Sequence, residues 1–308
     1  MRSIFLKNEL RTRIPVSLRP LRSLVVLFAL SFACLAQSNT DTLAQKVAGG
    51  TIEQKRDALL QIRNLATEEA SRAAVPALHD SSDIVRATAA ASVVFLPKVE
   101  ALKALLPLLK DKSPFVRKEA AYAVGNVGDP RTMLGEEKDD EIASALRLLL
   151  EKDKDPEVRA AAAVAMAKAG GLKSVWYLYF FLQSTPRNAA NDFIRRSAVR
   201  SIGSVAERLR SSTEEAPSLR RDPSRDKYRQ LDFSQEFRSF SSASRLLIDM
   251  LQNKNESDDV RREAAQALGN IGALSAESAL TANLSSTDPY LVNICKEALE
   301  KLKNIKPL

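Results

Sequence analysis

Residues 111–128 read DKSPFVRKEAAYAVGNVG, and this stretch decides the fold. Its Pro suits the first position of a helix, where no amide donor is missed. Ser113, just before that Pro, is a residue type that accepts a hydrogen bond from a first-turn amide. Small Ala120 and larger Val124 lie one turn apart on the same side, as in a helix packed closely against a neighbour. The stretch therefore predicts a capped, amphipathic helix that ends near Gly128.

The same pattern recurs along the chain, with an Asp, or Asn255 in one copy, six residues before an Arg in the best copies. The copies lie at residues 80–86, 111–117, 153–159 and 255–261, with weaker ones at 189–195 and 286–292. Three residues after this Arg column the side chain is always small: Ala89, Ala120, Ala162, Ala198, Ala264 and Cys295. Seven residues after it the side chain is always large: Val93, Val124, Met166, Ile202, Leu268 and Leu299. A unit repeated at this spacing indicates a stack in which neighbours bury each other's apolar faces.

The segments between these copies supply a second helix for each unit. Residues 101–110 are rich in Leu, and Pro76 and Pro107 each lie four residues before the Asp of the next copy. An interior Pro bends a helix, so we expect the same bend in both units. No segment alternates with period two, so we expect no strands. The prediction is an all-α protein, an α-solenoid of about six to seven helix pairs over residues 37–308.

The Asp-x-x-Pro-x-Val-Arg anchor and the Ala-rich helix ending in Gly-Asn-Val-Gly or Gly-Asn-Ile-Gly resemble HEAT repeats, especially the HEAT-like repeats of the phycobilisome lyase type. The resemblance covers roughly residues 50–305. It implies a hydrogen-bonded ladder between the anchoring Asp and Arg residues, within one unit or between neighbours. The ladder positions are Asp80, Asp111 and Asp153 with Arg86, Arg117, Arg159, Arg195 and Arg261. Ala189 and Ser286 replace the Asp, so we expect the ladder to be interrupted there.

The N-terminal segment has the composition of an export signal. A basic stretch is followed by an apolar run over residues 23–36, shorter than the roughly 20 residues that cross a bilayer. A small-x-small sequence at 34–36 suits cleavage, so we expect residues 1–36 to be a cleaved signal peptide and the protein to be periplasmic or extracellular. An uncleaved membrane anchor and a lipid-modified Cys34 remain as alternatives.

Charge and cysteine content agree with this expectation. The leader carries about +5 of the formal charge of +8, so about +3 remains on the body, a poor footprint for a nucleic-acid partner. Loss of Cys34 leaves Cys295 without a disulfide partner in the chain, and we expect it to be a buried apolar residue.

Residues for catalysis are scarce. His79 is the single histidine, and we expect it to be an ordinary helix-terminal residue. A helical zinc site needs two His one turn apart, and the sequence has neither that nor a phosphate-binding Gly-rich motif. We therefore expect no enzyme activity, no metal and no cofactor. The leading hypothesis is a non-catalytic protein-binding scaffold or adaptor. The alternative, suggested by the resemblance, is an accessory subunit of a lyase-like enzyme that handles a prosthetic group.

A helical stack binds partners on an extended concave face, which the second helix of each pair is expected to line. The positions one, five and nine residues after the Arg column are expected to face it: Lys118, Tyr122, Asn126, Arg196, Arg200, Arg262, Gln266 and Asn270. Two apparent insertions interrupt the repeats. Residues 172–182 are aromatic-rich and apolar all round, which favours core packing over a docking patch. Residues 208–242 carry Tyr228, Phe233, Phe237 and Phe240, expected to dock on the stack or on a partner.

Overall fold

A computed structural model describes residues 39–127, 137–169, 171–214 and 233–304. These ranges contain fourteen α-helices, short 3-10 segments and no strand. The proposed leader over residues 1–36 lies outside them, as do Gly128, Gly170 and Tyr228. No helix within these ranges has the length and apolar character needed to cross a bilayer.

The helices follow one another with short connections wherever both ends are described. They are α1 (39–49), α2 (Ile52–Leu65), α3 (Glu68–Ala74), α4 (Asp83–Ser92), α5 (Lys98–Leu105), α6 (Pro114–Val127), α7 (Glu137–Lys152), α8 (Pro156–Ala169), α9 (Gly171–Ser184), α10 (Ala189–Glu214), α11 (Phe233–Gln252), α12 (Asp258–Ile271), α13 (Glu277–Ala282) and α14 (Pro289–Asn304).

In chain order the fourteen helices alternate between odd-numbered first helices and even-numbered second helices, which makes seven pairs. The second helices pack against one another in order, from α2 to α14, while successive first helices touch less extensively. A stack curves toward the side on which its helices are closest together. The second helices therefore line the inner, concave face of this stack. The prediction of an all-α solenoid of six to seven pairs is confirmed.

The two Pro residues act as expected. Helix α3 passes into a 3-10 segment over Val75–His79, and α5 does the same over Leu106–Lys110. Pro76 and Pro107 are the second residue of these segments. Pro cannot donate the amide that would continue the α-helical ladder, so the tighter 3-10 turn follows.

The repeated small and large residues form the core between second helices. The small column is fully buried, and so is the large column except for Leu299, which is partly buried. Glycines eight residues after the Arg column allow closer contact still. A Cβ on Gly125 would lie 2.8 Å from Ala165 Cα, and one on Gly269 would lie 2.8 Å from Ala298 Cα. The second helices therefore touch backbone to backbone at these points.

Three helix ends show which of the capping residue types take part in capping. Gly272 ends α12 in the left-handed region, with φ 72° and ψ 36°, as predicted. Ser82 makes no capping bond with its side chain, and Asp80 Oδ1 instead accepts the Ser82 amide at 2.8 Å. Asn191 is not an N-cap, because α10 already begins at Ala189.

The aromatic segment at 172–182 is not an insertion. It belongs to α9, the regular first helix of the fifth pair. One side of α9 is buried in the core through Leu178 and Phe181, which agrees with the preferred interpretation. On the other side the Trp176 and Phe180 rings stack with their centroids 5.5 Å apart, and Phe180 is exposed.

Candidate functional site

The Arg column joins most of the neighbouring repeats to one another. Arg86 donates from Nε and Nη2 to the two Asp111 carboxylate oxygens, both at 2.8 Å, and Arg117 binds Asp153 in the same way at 2.7 and 2.8 Å. Asp80 belongs to the same repeat as Arg86. It contacts this Arg only through its backbone carbonyl oxygen, which accepts a hydrogen bond from Arg86 Nη1 at 2.9 Å. The hydrogen bonds of Arg86 lower the pKa of Asp111 although burial opposes this. Of the two arrangements left open by the sequence, the ladder between neighbours is the one observed.

Other residues take over these roles elsewhere in the stack. Lys55 stands in for an Arg and donates to Asp80 at 2.6 Å. Arg195 pairs with Glu256 at 2.7 Å, with side chains only 2% and 1% exposed. Arg261 donates to the Asn283 side chain at 3.0 Å. Lys55, Glu256 and Asn283 were missed in the sequence. A signal existed for Lys55, which precedes Asp80 by 25 residues, as Arg86 precedes Asp111.

The ladder is interrupted after Arg159. Its Nε donates to the Leu150 carbonyl at 2.8 Å, and its guanidinium lies over the Phe181 ring. The anchor position of the next repeat is occupied by Thr185, not by Ala189 as the sequence register suggested. Arg195 Nη1 donates to the Thr185 carbonyl at 2.7 Å, in the same way that Arg117 donates to the carbonyl of its own anchor Asp111.

The residues predicted to line the inner face do lie on second helices, but their charges are paired across repeats. The ion pairs are Lys118–Glu157, Arg196–Asp259 and Arg262–Asp288, each at 2.8 Å, and Arg200–Glu263. The mildly basic surface expected from the sequence is thus neutralised by acids of the following repeat. These pairs lie on partly exposed groups, where a single pair adds little stability.

The uncharged members of the predicted set border two open pockets. Tyr122 and Asn126 line one of about 570 Å³, together with Phe95, Arg63 and Lys168. The Asn126 side chain accepts a hydrogen bond from Lys168 at 2.8 Å.

The second pocket lies between α10 and α12 and measures about 250 Å³. Arg200, Gln266 and Asn270 line it, and Asn270 also accepts a hydrogen bond from Lys301 at 2.7 Å. The structure therefore brings the predicted residues together in two groups, one in each half of the stack.

Three exposed aromatic rings on the same face were missed. Phe115, Phe193 and Tyr290 are 41%, 46% and 67% exposed, and each lies two residues before the Arg column in alternate repeats. We call these three rings the aromatic edge. A cation covers each ring at 5.2–5.6 Å from its centroid: Lys118, Arg196 and Arg262 respectively. The aligned copies do contain this pattern. From the third repeat onward, the position two residues before the Arg column is Phe, Glu, Phe, Asp and Tyr, so that aromatic residues alternate with acids.

The aromatic residues of the 208–242 segment do not form such a surface in the described part of the chain. Helix α10 extends to Glu214 and α11 begins at Phe233, so helices occupy much of the expected loop. Phe240 is buried in the core, so of the two expected alternatives the structure shows this residue docked on the stack. Phe233 and Phe237 belong to α11, and their side chains, like Tyr228, lie outside the described part.

No catalytic arrangement is found among the residues that the structure describes. His79 is exposed at the end of its 3-10 segment. Cys295 is buried and unpaired, and burial raises its pKa to about 11, far from a reactive thiolate. These residues also contain no cluster of three His, Cys, Asp or Glu side chains that could hold a metal. What the inner face offers is apolar contact and hydrogen bonding.

Comparison with known families agrees with this architecture. The family model of HEAT repeats matches residues 71–133, and that of the PBS lyase HEAT-like repeat matches residues 260–286. These two segments of the chain are therefore HEAT repeats. No curated protein sequence matches this HEAT-repeat chain.

Similar solved structures include three helical-repeat proteins. Human deoxyhypusine hydroxylase is 18% identical over 89% of this HEAT-repeat chain and 99% of its own, with a TM-score of 0.36. The CpcE–CpcF complex of phycocyanin lyase from Nostoc sp. is 15% identical over 85% and 94%, with a TM-score of 0.45. A designed armadillo repeat protein in complex with the peptide (KR)4 is 18% identical over 85% and 98%, with a TM-score of 0.44.

Proposed function

We propose that this HEAT-repeat protein is a non-catalytic scaffold that binds a protein partner along its second helices. The observation that carries the proposal is the aromatic edge, with three exposed rings at one repeat position. Aromatic residues are enriched at protein interfaces and supply much of their binding energy. Neighbouring helices pack about 8–10 Å apart, so rings in alternate repeats are separated by about 20 Å. A partner that contacts all three is an extended chain or a long helix.

The face is also preorganised for binding. Each ring is covered by a cation, and that cation is bound in turn by an acid, Glu157 for Lys118, Asp259 for Arg196 and Asp288 for Arg262. Side chains already held in place lose little entropy when a partner binds. These charges are paired within the stack, so net charge would contribute little to the affinity for a partner. Contact with the rings and hydrogen bonds to side-chain amides such as that of Gln266 would contribute more.

Export is the second part of the proposal. It rests on the basic and then apolar leader, with its small-x-small sequence at 34–36. The intact mass of the protein purified from the cell envelope tests it. A mass that begins at Gln37 supports cleavage, and a mass that includes the leader supports the anchored alternative.

A role as accessory subunit of a lyase-like enzyme is the alternative, and the match of the PBS lyase HEAT-like repeat to residues 260–286 favours it. Its test is optical. Visible absorbance of a tetrapyrrole that stays with the protein through purification would support this role over the scaffold.

The partner-binding proposal is tested by affinity purification with two matched triple variants. The first replaces Phe115, Phe193 and Tyr290 with Ala. The control replaces Val99, Leu148 and Leu274, exposed apolar residues outside the second helices, with Ala. We expect a partner protein to co-purify with the wild type and with the control variant, and not with the aromatic-edge variant. All three proteins should have the same helix content. Retention of the same proteins by all three would refute binding through this face.

A further inference from the structure

We propose that Arg159 is a binding site for a carboxylate group, at the gap in the ladder between α8 and α10. The group comes from an acidic side chain of a bound protein or from a free small carboxylate. This site does not depend on the aromatic edge, which lies on other residues.

The other ladder arginines show what this position is built to bind. Arg86, Arg117 and Arg195 each donate two hydrogen bonds, from Nε and Nη2, to the two oxygens of one carboxylate, with donor–acceptor distances of 2.7–3.0 Å. Arg261 has a side-chain amide oxygen of Asn283 instead. Paired donors on a planar guanidinium match a carboxylate in both geometry and charge. Arg159 is the one ladder arginine that receives no side-chain acceptor from the described residues.

The guanidinium of Arg159 is held ready for such a group. Nε is fixed on the Leu150 carbonyl, and the Phe181 ring supports one face at 5.3 Å. Neither Nη1 nor Nη2 has an acceptor among the described residues, and neither is a buried unpaired atom, so both reach solvent. Burial lowers the pKa of Arg159, because desolvation of the cation outweighs the effect of Asp153. An incoming carboxylate would offset the partial desolvation of the cation and complete the ladder.

Thr185 explains why Arg159 has no carboxylate partner from the following repeat. It occupies the anchor site of the fifth pair, where the second, third and fourth pairs have Asp80, Asp111 and Asp153, and its hydroxyl carries no charge. The residue is buried at the α9–α10 connection, so its place in the fold is fixed.

The surroundings favour a single carboxylate over a phosphate group or nucleic acid. Asp153 lies close enough to Arg159 to affect its pKa, and this negative charge would repel a dianion. The neighbouring cation Arg117 is already occupied by Asp153. One available guanidinium is also far fewer than the several cations that a nucleic-acid backbone requires.

The test is NMR of the leader-free protein labelled at arginine, titrated with sodium acetate against sodium chloride at equal ionic strength. The Arg159 Nε–H signal is assigned by its loss in Arg159→Gln. We expect acetate to shift this signal to saturation and to leave the Arg117 signal unmoved. Thr185→Asp, which supplies the missing carboxylate from within the chain, should weaken acetate binding at least about tenfold. Thr185→Val, similar in size but uncharged, should bind acetate like the wild type.

A second titration with N-acetylglutamate α-amide distinguishes the sources. Equal affinity for this compound and for acetate supports recognition of the carboxylate alone. Tighter binding of the glutamate compound supports an acidic side chain of a partner. The proposal is overturned if the Arg159 signal fails to saturate with either compound, if it moves in parallel with Arg117, or if Thr185→Asp binds as the wild type does.

Discussion

Substitution of Gly125 by Ala is expected to destabilise the protein, although Ala has a higher helix propensity than Gly. In an exposed helix the same change stabilises by about 1 kcal/mol, because Gly loses more backbone entropy than Ala on folding. In α6, however, the new Cβ would lie 2.8 Å from Ala165 Cα and 3.0 Å from Ala165 Cβ. The nearest atom belongs to a backbone, so a side-chain rotation cannot relieve the clash and α8 must move.

The expected magnitude follows from these two opposing effects. Overpacking of a close-packed interior costs typically about 1–3 kcal/mol. After the gain of about 1 kcal/mol in helix propensity, a net loss of about 1–2 kcal/mol remains. Gly203 and Gly269 face Ala267 and Ala298 in the same way and should respond alike.

Gly49 supplies the matched control, because a Cβ there meets nothing within 4 Å and the residue lies at the end of α1. Gly49→Ala should be neutral or stabilising. The assay is urea unfolding followed by far-UV circular dichroism, which reports the loss of all helices together. If Gly125→Ala is as stable as the wild type or more stable, the second helices do not pack backbone to backbone, and the account of the curvature fails.

Three further predictions concern buried or paired groups. Glu256→Gln removes the charge that neutralises buried Arg195 and should cost about 3 kcal/mol in urea unfolding, whereas an equal midpoint would contradict the buried pair. The pKa of Asp111 is lowered in the fold by Arg86, so its contribution is present above the ordinary carboxyl pKa and is lost as the pH falls through the folded value. Asp111→Asn should therefore be less stable than the wild type at neutral pH, and the difference between their urea midpoints should shrink below about pH 4. Cys295, with its pKa raised to about 11, should resist a thiol reagent in the native protein and react rapidly in urea, and fast native labelling would argue against its burial.

The repeated helix was predictable because each of its features is local. Pro114 and Pro156 begin their helices, Gly272 ends one, and small residues such as Ala120 and Ala162 are buried, all as the pattern indicated. Capping, helix termination and a helical apolar stripe depend on residues within a turn or two of one another, which a sequence shows directly.

The partners across repeats were harder to predict, because they depend on the exact alignment of two units. A shift of the fifth repeat by four residues places Thr185 in the anchor position in place of Ala189. Glu256, close to the expected anchor of the sixth repeat, carries the buried ion pair. The aligned copies could not reveal either of these, since both arise where connections differ in length.

The inner face was predicted in position but not in character. Lys118 and Arg196 lie on second helices, yet their partners Glu157 and Asp259 come from the following repeat. Their attraction becomes visible only when adjacent helices are brought together. The aromatic edge was not predicted because its residues fall in the first helical turn, where the repeated pattern indicates capping.

Site-specific photo-crosslinking in cells that make the protein tests most directly whether the second-helix face binds a partner. A photoreactive phenylalanine analogue placed at Phe193 samples that face, and the same analogue at Phe180, equally exposed on α9, samples the first-helix side. We predict a crosslinked protein partner at Phe193 and none at Phe180. A partner captured only from Phe180 would contradict the account.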